Sequence, residues 1–183
     1  MTRPRLRPTT LPAALALLVL LLAGCGFHLR DALLLPPDLG PLQVASRDAD
    51  STLAMGLRDA LRRAGATVVE GSAAGATDEV ATLQLVSERW GDTPISIDQF
   101  GRSQEFTLRY AVIFRLQRAD GTDLVPQQAI ELSRDYISVP TRSAGTEGER
   151  EILANELRRE MVSAVLRRID AVSRLSQAEG ATP

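Results

Sequence analysis

The chain contains one cysteine, one histidine and no lysine, and its only aromatic residues are four phenylalanines, two tyrosines and one tryptophan. A lone cysteine excludes any disulfide within the chain and any cysteine-based metal site. The single histidine, His28, stands three residues from that cysteine, Cys25. It is badly placed to join a nucleophile or metal site deeper in a domain, so no Ser-His-Asp or Cys-His set is built in the usual way. Neither a phosphate-cradling glycine loop of the P-loop kind nor a dinucleotide fingerprint is present. All 21 cations are arginine, a bias of genome composition rather than a physical demand. The carboxylate pairs Asp48/Asp50 and Glu149/Glu151 suit solvated helix starts better than a sugar-cleaving site. These absences argue against an enzyme, a cofactor and a bound metal. They also argue against a nucleic-acid partner. The first 24 residues hold Arg3, Arg5 and Arg7 and no acid, so the remainder has 18 arginines against 23 acids, a net charge of −5. A nucleic-acid footprint is basic.

The one long apolar run, residues 11–22, is short of the about 20 residues that span a bilayer. It follows the three leader arginines and ends in Leu22-Ala23-Gly24-Cys25. Basic start, short apolar middle and small-residue exit make residues 1–24 a cleaved signal peptide. The last four residues resemble a bacterial lipobox, in which the leader is cut before the cysteine and the thiol is acylated. One acyl chain holds a protein on a membrane only reversibly; lipoprotein maturation, as the motif implies, supplies three. Gly26 and Phe27 follow Cys25, without the aspartate that retains enterobacterial lipoproteins at the inner membrane. The expected address is therefore the outer membrane, lipid-anchored on its periplasmic side.

Residues 25–41 form a lipidated approach segment broken by Pro36, Pro37, Gly40 and Pro41. Leu42 and Val44 against Gln43 predict a short strand. Asp48, Asp50 and Ser51 offer helix caps. Leu53, Leu57, Ala60, Leu61 and Ala64 then recur at helical spacing until Gly65 stops the helix. Residues 66–70 read as a second strand, 71–76 as a loop, and 80–90 as a third strand with Leu83 and Leu85 on one side. Pro94 and Gly101 predict a loop or ragged ends over 91–101. Phe106, Leu108, Tyr110, Val112, Phe114 and Leu116 alternate strictly, which predicts a long strand with one buried face. Asp120-Gly121 is a hairpin turn signal, and the return strand runs over about 128–139, its apolar face interrupted by Arg134. After a polar loop over 141–148, a long helix is predicted for 149–175, with Leu153, Leu157, Met161, Val165, Ile169 and Val172 as its apolar stripe. Residues 176–183 read as a disordered tail.

One sheet with both helices on a single face buries each apolar stripe once. The fold class is α+β: a two-layer sandwich over residues 42–175. The other face of the sheet is left open or is covered by something else.

Cys25-Gly26-Phe27-His28-Leu29-Arg30 followed by Leu35-Pro36 resembles the start of the mature LptE family of lipopolysaccharide-assembly lipoproteins. Gln104-Glu105-Phe106-Thr107-Leu108, Arg134-Asp135-Tyr136 and the final helix also fit that family. The resemblance implies two helices on a mixed four-stranded sheet. It implies a plug in the lumen of the β-barrel LptD, one to one, that assists assembly of the barrel and insertion of lipopolysaccharide into the outer leaflet. It implies direct contact with lipopolysaccharide through basic residues in loops at one end of the sheet. Those places fall near Gln99 and Thr146, which are not basic here; Arg102 and Arg142 lie close enough in sequence to substitute, since arginine binds phosphate bidentately. A plug also implies an exposed surface rich in arginine and small apolar residues.

Two other readings stand beside this one. The chain is an outer-membrane lipoprotein that binds another envelope protein or peptidoglycan, or it is a small periplasmic enzyme, which the missing catalytic set disfavours. Arg158/Arg159 and Arg167/Arg168 suit anionic lipid but are interleaved with Glu156 and Glu160 as on a solvated helix face.

Overall fold

The computed structural model describes residues 35–36, 39–70, 80–138 and 143–180. Cys25, His28, Arg142 and the leader lie outside the described residues. Six elements follow in order: β1 (Leu42–Ser46), α1 (Thr52–Arg63), β2 (Ala81–Ile97), β3 (Ser103–Gln117), β4 (Asp123–Ile137) and α2 (Ser143–Gly180). The strands form one sheet in the order β1-β2-β3-β4. β1 and β2 are parallel, with α1 in their crossover; β2-β3 and β3-β4 are antiparallel. This is the α+β sandwich with a mixed four-stranded sheet.

The alternation in β3 decides the layering. Leu108, Tyr110, Val112, Phe114 and Leu116 are fully buried and face the helices, joined by Leu42, Val44, Leu83 and Leu85 from the sheet. Leu53, Leu57 and Leu61 of α1 and Leu157, Met161, Val165 and Ile169 of α2 close the core from above. Ser51 caps α1, its Oγ accepting from the Ala54 amide at 3.0 Å, and Gly65 takes φ 90° just beyond the helix end. Gly56 sits where α1 meets α2: a Cβ there would stand 3.0 Å from Val162 Cγ2, which explains a glycine inside a helix despite its cost of about 1 kcal/mol.

Four sequence expectations are corrected. Residues 66–70 make only an isolated bridge, Val68 to Leu42. The strand predicted for 80–90 does not stop there but runs to Ile97. Pro94 is tolerated because β1 pairs only with Ala81 to Leu85, so the far part of β2 is an edge, where a missing N–H removes no bond on the unpaired side. The return strand starts at Asp123 rather than 128. The last helix starts at Ser143 and continues through Gly180, so the loop predicted over 141–148 is largely its first turns, and the stretch 176–180 is helical rather than irregular.

Register shifts between Leu85 and Ser87 change which side chains of β2 face the helices. Past this bulge Glu88, Trp90 and Asp92 stand opposite Val112, Tyr110 and Leu108 on the helix side; an extra residue in one strand does this. Arg134, the charge interrupting the apolar face of β4, meets Glu160 of α2 at 2.5 Å.

Candidate functional site

β2, β3 and β4 continue well past the end of β1. The chain enters the sheet at Leu42, opposite Ala81, the first residue of β2; β2 then runs 17 residues, about 50 Å at strand rise. Its far end is the tip of the sheet. There Ile97 pairs with Ser103, Glu105 pairs with Ile137, and Arg150 of α2 reaches Asp92. The β2–β3 turn and the start of α2 therefore lie at the same end of the sheet, the two places to which the sequence assigned ligand contacts.

The turn is built by Asp98. Its Oδ1 accepts from the amides of Phe100 at 2.8 Å and Arg102 at 2.9 Å, while Oδ2 accepts from Arg102 Nε and Nη2, both at 2.8 Å. Gly101 supplies the left-handed step, φ 76°, which a residue with a Cβ adopts with difficulty. The Arg102 amide, then its guanidinium and the Phe100 amide, hold the Asp98 carboxyl below the ordinary carboxylate range. Arg102 lies over the Phe100 ring, 5.3 Å from its centroid. Its Nε–Nη2 edge is taken by Asp98, while its side chain as a whole is 60% exposed.

Of the four sequence-assigned contacts, Arg102 and Gln99 are exposed in this turn. Thr146 is on the first turn of α2 rather than in a loop. Arg142 is outside the described residues, as is Cys25, the assigned lipid attachment. The sequence reading missed Asp98, whose spacing of four from Arg102 was its available signal. It also missed the apolar residues Ile95, Ile97, Phe100 and Ile137, which are more than half exposed, Phe100 at 72%. The alternation Ile95-Ser96-Ile97 was legible but was hidden behind Pro94.

Two polar clusters brace this arm. Nearer the tip, Asp92 accepts from Tyr136 Oη at 3.0 Å and from Arg150 Nε and Nη2 at 3.2 and 2.8 Å. The Arg150 hydrogen bonds hold the Asp92 carboxyl below its ordinary 3.8, against the opposing effect of burial. A carboxyl lowered in the folded state stabilises fully above its ordinary value, and that stability is lost as pH falls through the folded value. Asp92→Asn is therefore expected to lower stability by about 1 kcal/mol at pH about 7. The gap between variant and wild type should close as pH falls below the ordinary carboxylate value and through the lower folded one, as read by urea denaturation; a gap unchanged with pH would show that Asp92 does not act as a carboxylate here. Further in, Tyr110 Oη and Ser51 Oγ donate to Glu88 at 2.8 and 2.5 Å, tying the cap of α1 to β2 and β3. Trp90 stacks on Tyr110 at 3.9 Å, and the Arg158 guanidinium is 5.1 Å from the Trp90 centroid. Burial, then Glu88, pushes the Tyr110 hydroxyl far above its ordinary value, so it serves as a donor.

The face of the sheet away from the helices is polar and low. Arg89 lies across from Ala111, and Arg109 lies between Gly91 and Ser133. Arg109 reaches Glu131 at 3.5 Å, and Arg115 donates to Gln84 at 2.7 Å. Among the described residues no group of His, Cys, Asp and Glu could hold a metal ion, and no helix is long and apolar enough to cross a membrane.

Comparison with known proteins agrees with this architecture. The solution structure of lipoprotein B from Nitrosomonas europaea superposes with a TM-score of 0.66 at 26% identity, covering 81% of this chain and 93% of that one. The crystal structure of the rare lipoprotein B from Shewanella oneidensis shares the fold, with a TM-score of 0.64 at 22% identity over 75% of this chain and 99% of that one. The LPS-assembly lipoprotein LptE of Photorhabdus laumondii is 29% identical over 164 residues, covering 90% of this chain and 87% of that protein. Its counterpart in Yersinia pestis (strain Pestoides F) is 28% identical, covering 90% and 77%. The family model described as LptE, lipopolysaccharide-assembly, matches residues 39–169, which takes in every strand, α1 and most of α2; the chain belongs to the LptE family.

Proposed function

We propose that this protein is an outer-membrane lipoprotein, cleaved after residue 24 and acylated at Cys25, that fills the lumen of an LptD-type β-barrel. It assists assembly of that barrel and contacts lipopolysaccharide on its way to the outer leaflet. The observation that carries this reading is the far end of the sheet, opposite the entry of the chain: it holds exposed Ile95, Ile97 and Phe100 and an exposed arginine, Arg102, whose guanidinium lies 5.3 Å from the Phe100 ring centroid. Apolar surface beside a phosphate-binding group matches the two halves of a phosphorylated lipid.

The open sheet face supports the plug. Barrel lumens are polar, and this face places arginines among glycine, alanine and serine. Each outer strand carries a proline where no neighbour pairs, Pro94 in the far part of β2 and Pro126 near the start of β4, as expected of edges that must not pair with another chain.

The test uses the full lipoprotein with Arg102 and Arg142 both changed to alanine. A charge-assisted hydrogen bond contributes about 1.5–3 kcal/mol, so affinity for purified lipopolysaccharide is expected to fall about tenfold or more. Recovery of a large β-barrel, roughly one to one, should be unchanged. Equal affinity in both proteins removes the arginines from the contact; absence of any barrel beside the wild-type lipoprotein overturns the plug.

A further inference from the structure

The β2–β3 turn is exposed, yet the side chain of Asp98 within it is only 7% exposed. Its two oxygens have separate tasks. Oδ1 accepts from the Phe100 and Arg102 amides at 2.8 and 2.9 Å. These bonds belong to the backbone of the turn, as do the bonds from Asp98 N to Arg102 O at 2.8 Å and from Gly101 N to Asp98 O at 2.9 Å. Four bonds therefore hold the turn without the guanidinium. Oδ2 accepts from Arg102 Nε and Nη2, both at 2.8 Å. That contact is separable from the others, because it reaches only the Arg102 side chain, which is 60% exposed.

What the Oδ2 contact does is occupy the arginine. Adjacent N–H donors of a guanidinium bind carboxylate and phosphate in the same geometry. A phosphate arriving at Arg102 has either to take Nε and Nη2 from Asp98 or to bind a cation whose charge is already matched by a carboxylate. Both lower its affinity. The exchange itself is open, because Asp98 keeps its two amide donors when the guanidinium leaves, so no carboxylate is stranded without hydrogen bonds. We propose that Asp98 is an internal competitor for the phosphate of the ligand. The Asp98–Arg102 pair is the closed state of the site, and a lipid phosphate opens it by taking the place of Oδ2. The result is a weak and reversible hold, which suits a ligand that is to be passed on. Phe100, 72% exposed and 5.3 Å from the guanidinium, offers apolar contact that favours a phosphate carried by a lipid over a free one. This inference rests on the lipopolysaccharide contact proposed above.

The experiment compares Asp98→Asn with wild type, each as the full lipoprotein, in a direct binding assay with purified lipopolysaccharide. Asparagine suits this kind of turn. The two amides select its carbonyl oxygen for the place of Oδ1, which leaves its NH2 group, a donor, facing the guanidinium. The turn is kept and the competitor is removed. Asp98→Ser, whose hydroxyl accepts from the same amides more weakly, is a second variant of the same design, and circular dichroism checks the fold of both. Removing a partly exposed ion pair is expected to raise affinity about two- to fivefold. Added salt should weaken binding more steeply than in wild type, since Arg102 is no longer neutralised. Equal or lower affinity overturns the proposal; a lower value is what a carboxylate that holds Arg102 ready for the ligand would give. In an Arg102→Ala background Asp98→Asn should leave affinity unchanged, because no arginine remains to be released; a rise of the same size there is a general charge effect and overturns the proposal. The gain should vanish with lipopolysaccharide stripped of its phosphates, and a gain that persists overturns it. Inorganic phosphate, at the phosphate concentration of the lipid, should leave bound lipopolysaccharide in place; displacement assigns the site to free phosphate and overturns the lipid source. If wild type binds no lipopolysaccharide, or Arg102→Ala alone binds as wild type does, the contact reading fails and the competitor falls with it. If Arg102→Ala weakens binding and Asp98→Asn does not strengthen it, only the competitor is lost.

Discussion

Replacing Phe114 with alanine is expected to lower the stability of the folded domain by about 3–5 kcal/mol, the usual cost of emptying a phenylalanine site in a core. Phe114 is fully buried and stands on β3, which among the described strands is the one flanked on both sides along its length. Its register partners are Leu85 on β2 and Gln128 on β4, so a cavity there lies within the sheet, in the core cluster to which both helices contribute. Two fixed strands limit how far the neighbourhood can collapse into the space, which places the expected loss in the upper part of the range. A domain of this size has about 5–15 kcal/mol to lose. The variant should therefore unfold at a markedly lower urea concentration with an unchanged slope. A loss under about 1 kcal/mol would show that the core closes over the gap and that β3 is not the rigid centre of the fold. The exposed residue Ala129 on β4 supplies a control: Ala129→Ser should change stability by no more than about 0.5 kcal/mol.

The contrast between β3 and the tip shows what the sequence could and could not reveal. β3 was legible because a strand buried on one face writes strict alternation into its sequence. The two helices were legible because each has a stripe and, for α1, a cap and a glycine stop. The far half of β2 was not, for two physical reasons. A bulge after Leu85 exchanges the faces, so alternation read from Leu83 and Leu85 runs out of phase at Trp90. Pro94 then reads as a breaker, because only the topology reveals that β1 ends early and leaves that position on an edge. With β2 cut short, the turn at residues 98–102 could not be placed at the tip, and Ile95 and Ile97 looked like loop residues. The same limit applies to the start of α2. Gly145 and Gly148 suggest a loop, yet the helix begins at Ser143, and Arg150 anchors its early turns through Asp92. Contacts from distant parts of the chain decide such segments, and these leave little local pattern. Arg102 was assigned as a substitute for the family position near Gln99, and the structure shows it exposed in the turn; its partner Asp98 had only its spacing of four from Arg102 as a signal, and the turn it builds became visible in three dimensions.

Changing Cys25 to serine is expected to move the protein from the membrane fraction to the soluble envelope fraction without unfolding the domain. Cys25 precedes the described fold, whose first core residue is Leu39. No helix among the described residues is long and apolar enough to cross a membrane. Each buried methylene of an acyl chain contributes about 0.8 kcal/mol, and stable anchoring takes more than one lipid; removing every chain at once therefore changes the partition by many orders of magnitude. On the proposed plug reading, the portion held in a barrel lumen stays with the membrane whether or not it is acylated. The variant is therefore to be produced in excess over the barrel, and the excess followed by fractionation. Wild-type excess should sediment with membranes, and C25S excess should remain in the supernatant with an unchanged circular dichroism spectrum. The portion of C25S bound to the barrel should still sediment, which separates the two attachments, one through lipid and one through protein. If C25S in excess sediments as fully as wild type, Cys25 is not the anchor, and the leader at residues 1–24 needs another explanation.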